Sequence, residues 1–282
     1  MTRPAARLGE LHTCPAVHHT PGPVTAPGEP TVLIGGRPSA RYSDMAACGG
    51  AVDAIADGAP TVLIGKLPAS RGKDGTEHCG LVVTGFARVL LGETPDGVSV
   101  KRRGKMLVIV DQRTHTIRIV GVQEFKGDGA SDAYIKRATD CINKTWSGPA
   151  TLDGQPYKVD AMVTGRRAGD PADPLANQID VKQTTDPPST TTQKDPSNQS
   201  LWGKGSGYQH STDADGGALV PAHEFGHSMG LDDEYKEGPR NPDGSRGIIH
   251  TGPPGGLMGH VDPGSRPTPG NIDELVNGKK KP

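Results

Sequence analysis

Aromatic residues are scarce in this 282-residue chain, which has only three Phe, five Tyr and two Trp, too few to fill one large helical core. Net charge is also nearly absent. The 31 basic and 32 acidic side chains leave a formal charge of −1, so the balance does not point to nucleic acid or an anionic membrane as a partner. No apolar stretch approaches the ~20 residues of a membrane span, and the N-terminus lacks the apolar core of a signal peptide, which argues against the general export route. There are four cysteines, and a chain without a signal folds in a reducing cytosol, so free or metal-bound thiols are expected rather than disulfides. The chain is rich instead in glycine and proline, with 40 Gly and 26 Pro, as suits turn-dense β structure and long loops. Its length exceeds the common domain size of about 100–150 residues, so two domains are expected.

The N-terminal third is written as a repeat. Pro30-Thr31-Val32-Leu33-Ile34-Gly35 recurs as Pro60-Thr61-Val62-Leu63-Ile64-Gly65. Pro38, Arg41, Asp44, Cys48 and Gly50 are likewise matched by Pro68, Arg71, Asp74, His78 and Gly80, and a weaker third copy is Val89-Leu90-Leu91-Gly92. A β-branched strand followed by a Gly-containing turn predicts a small all-β module built by stacking one unit. With few large apolar residues, such a module needs a staple. The equivalent positions Cys48 and His78 are both zinc-ligand types, and His12, Cys14, His18 and His19 supply candidates upstream.

Pro4-Ala5-Ala6-Arg7, His12-Thr13-Cys14-Pro15, the His-x-x-Gly-Pro element that begins at His19, Cys48-Gly49-Gly50 and the Thr-Val-Leu-Ile-Gly runs together resemble the PAAR-repeat proteins of the type VI secretion spike tip. The resemblance covers about residues 1–94 and implies a cone of short strands whose apex is pinned by zinc. Motif by motif, it implies His12, His19, Cys48 and His78 as ligands. The internal repeat gives a competing answer, because aligning Pro4 and Arg7 with Pro38 and Arg41 puts Cys14 opposite Cys48.

A second constellation lies at His223-Glu224-Phe225-Gly226-His227-Ser228-Met229-Gly230-Leu231-Asp232-Asp233. Residues four apart on a helix lie one above the other, so both imidazoles reach one metal, and Glu224 stands beside it as a base. Gly230 tolerates the left-handed conformation that ends a helix and can return Asp233 to the metal. Three protein ligands leave zinc an open fourth position, as in catalytic rather than structural sites. Asp232, Glu234 and His260 are rivals for the third place. Gly255-Gly256-Leu257-Met258-Gly259-His260 is a tight turn with methionine at its tip.

This pair of motifs resembles the metzincin zinc peptidases in the form HExxHxxGxxD. The resemblance implies His223, His227 and Asp233 as ligands, Glu224 as general base and Met258 as the supporting methionine. Tyr235 and His260 are candidate donors to the oxyanion, or packing residues.

The expected fold is therefore a small all-β, PAAR-like cone over residues 1–94, a linker over 95–104, and an α+β metzincin-like zinc peptidase domain over 105–282. In the latter, strands are expected at Met106–Val110, Thr116–Phe125, Tyr157–Val163 and Gln178–Lys182. Helices are expected from the Ser131 N-cap to Trp146, over Ala218–Met229, and around Ile272–Val276. The polar stretch of about 165–217 reads as a surface loop or flap, and Asp170, Asp173 and Asp180 as candidates for calcium without EF-hand spacing.

Together these readings imply a secreted effector with two zinc ions, one structural and one catalytic. It would be made in the bacterial cytoplasm, delivered by the type VI system, and used to cleave protein in a target cell. The resemblance further implies a trimeric valine-glycine repeat spike protein beneath the tip and a cognate immunity protein. The alternatives are a spike tip with a non-catalytic cargo-binding extension, or a zinc amidase acting on the cell wall.

Overall fold

The computed structural model describes residues 2–182, 206–210, 219–240, 246–259 and 262–278. Nine short strands form the N-terminal module: β1 (Thr2–Ala5), β2 (Thr20–Ala26), β3 (Glu29–Ile34), β4 (Arg37–Ser39), β5 (Met45–Gly49), β6 (Asp53–Ala54), β7 (Ala59–Ile64), β8 (Leu67–Ala69) and β9 (Phe86–Gly92).

The repeat seen in the sequence is also a repeat in space. β3 pairs with β4 through Leu33 and Pro38, and β7 pairs with β8 through Leu63 and Pro68. The weak third copy is completed from the start of the chain, where Leu90 of β9 faces Pro4 of β1. A closed ring of backbone hydrogen bonds joins the three units. Ala6 N–H donates to Ser70 O at 2.8 Å, Ser70 N–H to Ala40 O at 2.9 Å and Ala40 N–H to Ala6 O at 3.1 Å. Just after each of these positions an arginine holds an acid three residues on: Arg7 with Glu10, Arg41 with Asp44 and Arg71 with Asp74. The module's own apolar core is made of small residues, Ala6, Val24, Ala40, Ala46, Ile55 and Val82. This accounts for its dependence on backbone bonds and ion pairs rather than on buried area.

The C-terminal region is mixed α/β. Its sheet contains β10 (Val98–Arg103), β11 (Met106–Asp111), β12 (Thr116–Lys126), β13 (Gly148–Leu152), β14 (Gln155–Arg167), β15 (Asn177–Lys182) and β16 (Ser206–His210). The strand order is β10-β11-β12-β14-β13. β15 runs beside the far half of β12, and β16 pairs with β15. Strand β12 is parallel to β14 and β15 and antiparallel to β11. The stretch expected as linker, residues 95–104, contains β10, which is paired with β11 from Val98 to Arg103.

Helix α1 (Asp132–Trp146) starts at Ser131, whose side chain accepts from Tyr134 N–H, a cap worth about 1 kcal/mol. Its buried stripe of Ile135, Ala138, Ile142 and Trp146 faces the sheet. Helix α2 (Val220–Ser228) lies across α1, followed by the two-stranded β17 (Tyr235–Arg240) and β18 (Arg246–His250), and α3 (Pro269–Asn277) closes the region behind a Thr268–Asn271 capping box. The core on this side of the sheet joins Val108, Val110, Ile117, Ile119 and Val163 to Trp146, Phe225, Leu257, Met258 and Ile272.

Candidate metal centres

In the N-terminal module, Cys14, His19, Cys48 and His78 bring their ligand atoms within 4.8 Å of one another. Cys14 Sγ lies 3.5 Å from His19 Nδ1 and 3.8 Å from His78 Nδ1, and Cys48 Sγ lies 3.3 Å from His19 Nδ1. With Zn–S near 2.3 Å and Zn–N near 2.0 Å, a tetrahedral ion separates sulfur and nitrogen by about 3.5 Å, so the donor set and spacing fit zinc. Burial, with the neighbouring Cys14 sulfur, pushes the Cys48 thiol up to about 11, so holding it as a thiolate requires a cation.

Cys14, Cys48 and His78 each stand seven residues after the repeat arginine, at Arg7, Arg41 and Arg71. The module's pseudo-threefold thus delivers three of the donors, and His19 adds the fourth. Gly50 permits the approach of His19, since a Cβ there would lie 2.9 Å from the ring.

His12, expected from the motif as a ligand, lies outside the cluster. Its Nδ1 is 2.7 Å from the Gly22 carbonyl, and its Nε2 is 3.4 Å from Asp53 Oδ2. Asp53 in turn accepts from the His78 backbone N–H at 3.0 Å. His12 therefore stands behind the cluster, beside the carboxylate that seats His78, and the place expected for it is taken by Cys14.

The second group is His223, Glu224 and His227, all buried on α2. Each imidazole is oriented by a backbone carbonyl: Leu257 O at 2.9 Å from His223 Nδ1, and Leu231 O at 2.8 Å from His227 Nδ1. A carbonyl only accepts, so both Nδ1 atoms carry the proton and both Nε2 atoms present lone pairs. These two Nε2 atoms stand 3.1 Å apart, with Asp233 Oδ1 at 3.2 Å and 3.1 Å from them. One face of a zinc tetrahedron with bonds near 2.0 Å has edges of about 3.3 Å, so the three donors fit. Burial pushes the Asp233 carboxyl up, but its contacts with His223 and His227 outweigh it and hold it well below the usual carboxylate range.

The turn after α2 puts Asp233 in this position. Gly230, at φ 93°, lets the chain reverse, and Leu231 N–H returns to Gly226 O at 3.2 Å. The methionine turn then supports the site from below. Leu257 supplies the carbonyl for His223, and Met258 O accepts from Glu234 N–H at 2.9 Å. Of the rival ligands, Asp232 is exposed, and Glu234 accepts instead from Asn271 Nδ2 at 2.9 Å. His260 lies outside the described residues.

Tyr235 stacks near His223 with ring centroids 6.4 Å apart. Burial, with the charge of Asp233 and the hydrogen bond its hydroxyl donates to that carboxylate, pushes its phenol up to about 12. The orienting carbonyls of Leu231 and Leu257 had no signal of their own in the sequence, since any residue supplies a carbonyl.

Residues 1–52 and 16–84 each match the family model described as PAAR motif, the overlap reflecting the internal repeat. No curated protein matches the chain. Residues 1–84 are thus a PAAR-motif module, joined to a C-terminal α/β region that carries a second buried cluster able to bind a metal.

Proposed function

We propose that this protein is a type VI secretion spike tip carrying a zinc-dependent peptidase into a target cell. The observation that carries the reading is the triangle of His223 Nε2, His227 Nε2 and Asp233 Oδ1, 3.1–3.2 Å on a side, with Glu224 adjoining it on the same helix. It supports a metzincin-like site with aspartate as third ligand.

His223, His227 and Asp233 would hold the zinc, which when bound would supply Lewis acidity to a peptide carbonyl and a water with its pKa lowered towards ~7. Glu224 takes the proton of the attacking water and passes it to the leaving amine nitrogen. Leu257 O and Leu231 O keep both imidazoles in the liganding tautomer throughout. Tyr235 steadies Asp233 through the hydrogen bond its hydroxyl donates to the carboxylate.

In this reading the PAAR-motif module holds the second, structural zinc through Cys14, His19, Cys48 and His78. It sits on a trimeric valine-glycine repeat spike protein, and a producing cell needs an immunity protein. The protein is made in the cytoplasm and leaves on the spike.

The test compares wild-type protein with Glu224→Ala. Wild-type protein generates new protein termini in exposed target cells, read by mass spectrometry; the variant generates none and still holds about two zinc ions per chain. Purified wild-type protein holding only the tip zinc would overturn the reading. Incubation with protein mixtures and with peptidoglycan, each with and without chelator, separates a peptidase from a cell-wall amidase.

A further inference from the structure

The first five residues of β11, Met106-Leu107-Val108-Ile109-Val110, are apolar without a break, and all are buried. A strand that is apolar on both faces needs cover on both. Met106, Val108 and Val110 face the helices. Leu107 and Ile109, with Val120 and Val122 of β12 and Leu175 and Ala176, face the other way, onto Tyr42, Ala54 and Leu67 of the N-terminal module.

The module's own repeat is broken at this flank. Leu67 stands where the other two copies have Arg3 and Arg37, Tyr42 where they have Leu8 and Gly72, and Ser43 where they have Gly9 and Lys73. Two apolar side chains and a hydroxyl thus replace what the repeat would place there.

The polar groups at the seam are matched as well. Tyr42 donates to Lys105 O at 3.2 Å, and Ser43 donates to the Asp173 carboxylate. The left-handed backbone of Ser43, φ 70°, is shared by its counterparts Gly9 and Lys73, at 85° and 69°, so the repeat sets the backbone and only the hydroxyl is particular to this copy. Asp173, expected as a calcium candidate, is instead buried against Arg166 at 2.8 Å, and Arg166 reaches on to Glu124 at 3.0 Å. From β10, Arg102 donates to Ala56 O at 3.0 Å and lies over the Tyr42 ring, 5.8 Å from its centroid.

We infer that the flank where two neighbouring repeats meet, Tyr42 and Ser43 of the Arg41 copy beside Leu67 of the Arg71 copy, is a docking face built for the C-terminal sheet, so that the two parts fold as one body and the C-terminal centre works mounted on the tip, not after release. Residues 94–97 are then a strap and not a hinge. Without the module, Leu107, Ile109, Val120 and Val122 form a bare apolar face on a sheet, which water does not tolerate over such an area. This holds whichever reaction the second centre performs.

The sharpest test is Leu67→Arg in the full chain, which restores the residue of the sister repeats. It satisfies the repeat and violates only the seam. Calorimetry of the wild type is expected to show one transition. The variant is expected to show two transitions, or one with its midpoint lowered by several degrees; an unchanged single transition would overturn the inference.

A second measurement needs no such replacement. With a protease site inserted between Thr94 and Pro95, the cut halves are expected to co-elute as one particle on gel filtration. Separation into two folded fragments would overturn the inference. Hydrogen exchange of Tyr42→Ala adds a local readout, because amides of β11 and β12 lose protection together with those of the module. A loss confined to the module would count against a single body.

Discussion

A Cβ placed on Gly226 would stand 2.4 Å from the Met258 sulfur and 3.2 Å from Cζ2 of Trp146. The absence of a side chain at one position of the histidine helix is thus what lets the methionine turn close beneath it. Helix propensity alone makes Gly226→Ala stabilising by about 1 kcal/mol. Overpacking against Met258 costs about 1–3 kcal/mol and displaces the adjacent Leu257 carbonyl from His223, so the net effect is destabilising. Thermal unfolding with zinc analysis checks this, the expected result being a lower midpoint and loss of the second zinc alone.

At the tip, Cys14 stands in the His19, Cys48 and His78 cluster and His12, the ligand implied by the motif, stands behind it. Cys14→Ser is expected to strip the tip zinc. His12→Gln keeps it and costs about 1–3 kcal/mol, because it disturbs a buried contact with Gly22 O and leaves Asp53 short of a partner. Cobalt substitution reads the difference directly, since two thiolates give a sulfur charge-transfer band that Cys14→Ser weakens and His12→Gln leaves intact.

Substituting the neighbouring acids Asp233 and Glu234 tests the third ligand. Asp233→Asn is expected to lower zinc affinity at the second centre by at least ten-fold, with the tip zinc retained. Glu234→Ala leaves both ions bound and lowers stability by about 1–3 kcal/mol, through the lost bond to Asn271. Equilibrium zinc competition and denaturant unfolding, run on both variants, separate the two roles.

Burial and Asp233 push the Tyr235 phenol up to about 12, so it is a donor near neutral pH. Tyr235→Phe is expected to lower kcat by about 10–100-fold with zinc content unchanged, and to leave the alkaline limb of the pH profile where it was. A moved alkaline limb would show that the phenol itself titrates in catalysis.

Much of this was legible because spacing is physical. The Ser131 cap, the stripe of α1 and the His-x-x-x-His step each follow from helical geometry, and the structure places α1 at Asp132–Trp146 and α2 at Val220–Ser228. The seven-residue step from Arg7, Arg41 and Arg71 already pointed to Cys14, and that signal was more informative than the family motif naming His12. Strand β10 was hidden because Val98–Arg103 is exposed and ends in charge, with Pro95 and Gly97 before it, so it reads as a connection. The double-faced burial of β11 was visible as an unbroken apolar run, but what covered its second face depended on Tyr42 and Leu67, more than thirty residues upstream. Only the broken repeat marks them.

Trp146 lies where it reports on all of this. Its indole N–H donates to Ala222 O at 2.8 Å on the histidine helix, and its ring meets Phe225 edge-on at 5.9 Å. The emission of this one indole, isolated by comparison with Trp146→Phe, makes the helix an unlabelled optical gauge: loading, stripping and unfolding of the second centre can each be followed in a cuvette, in real time, without a substrate.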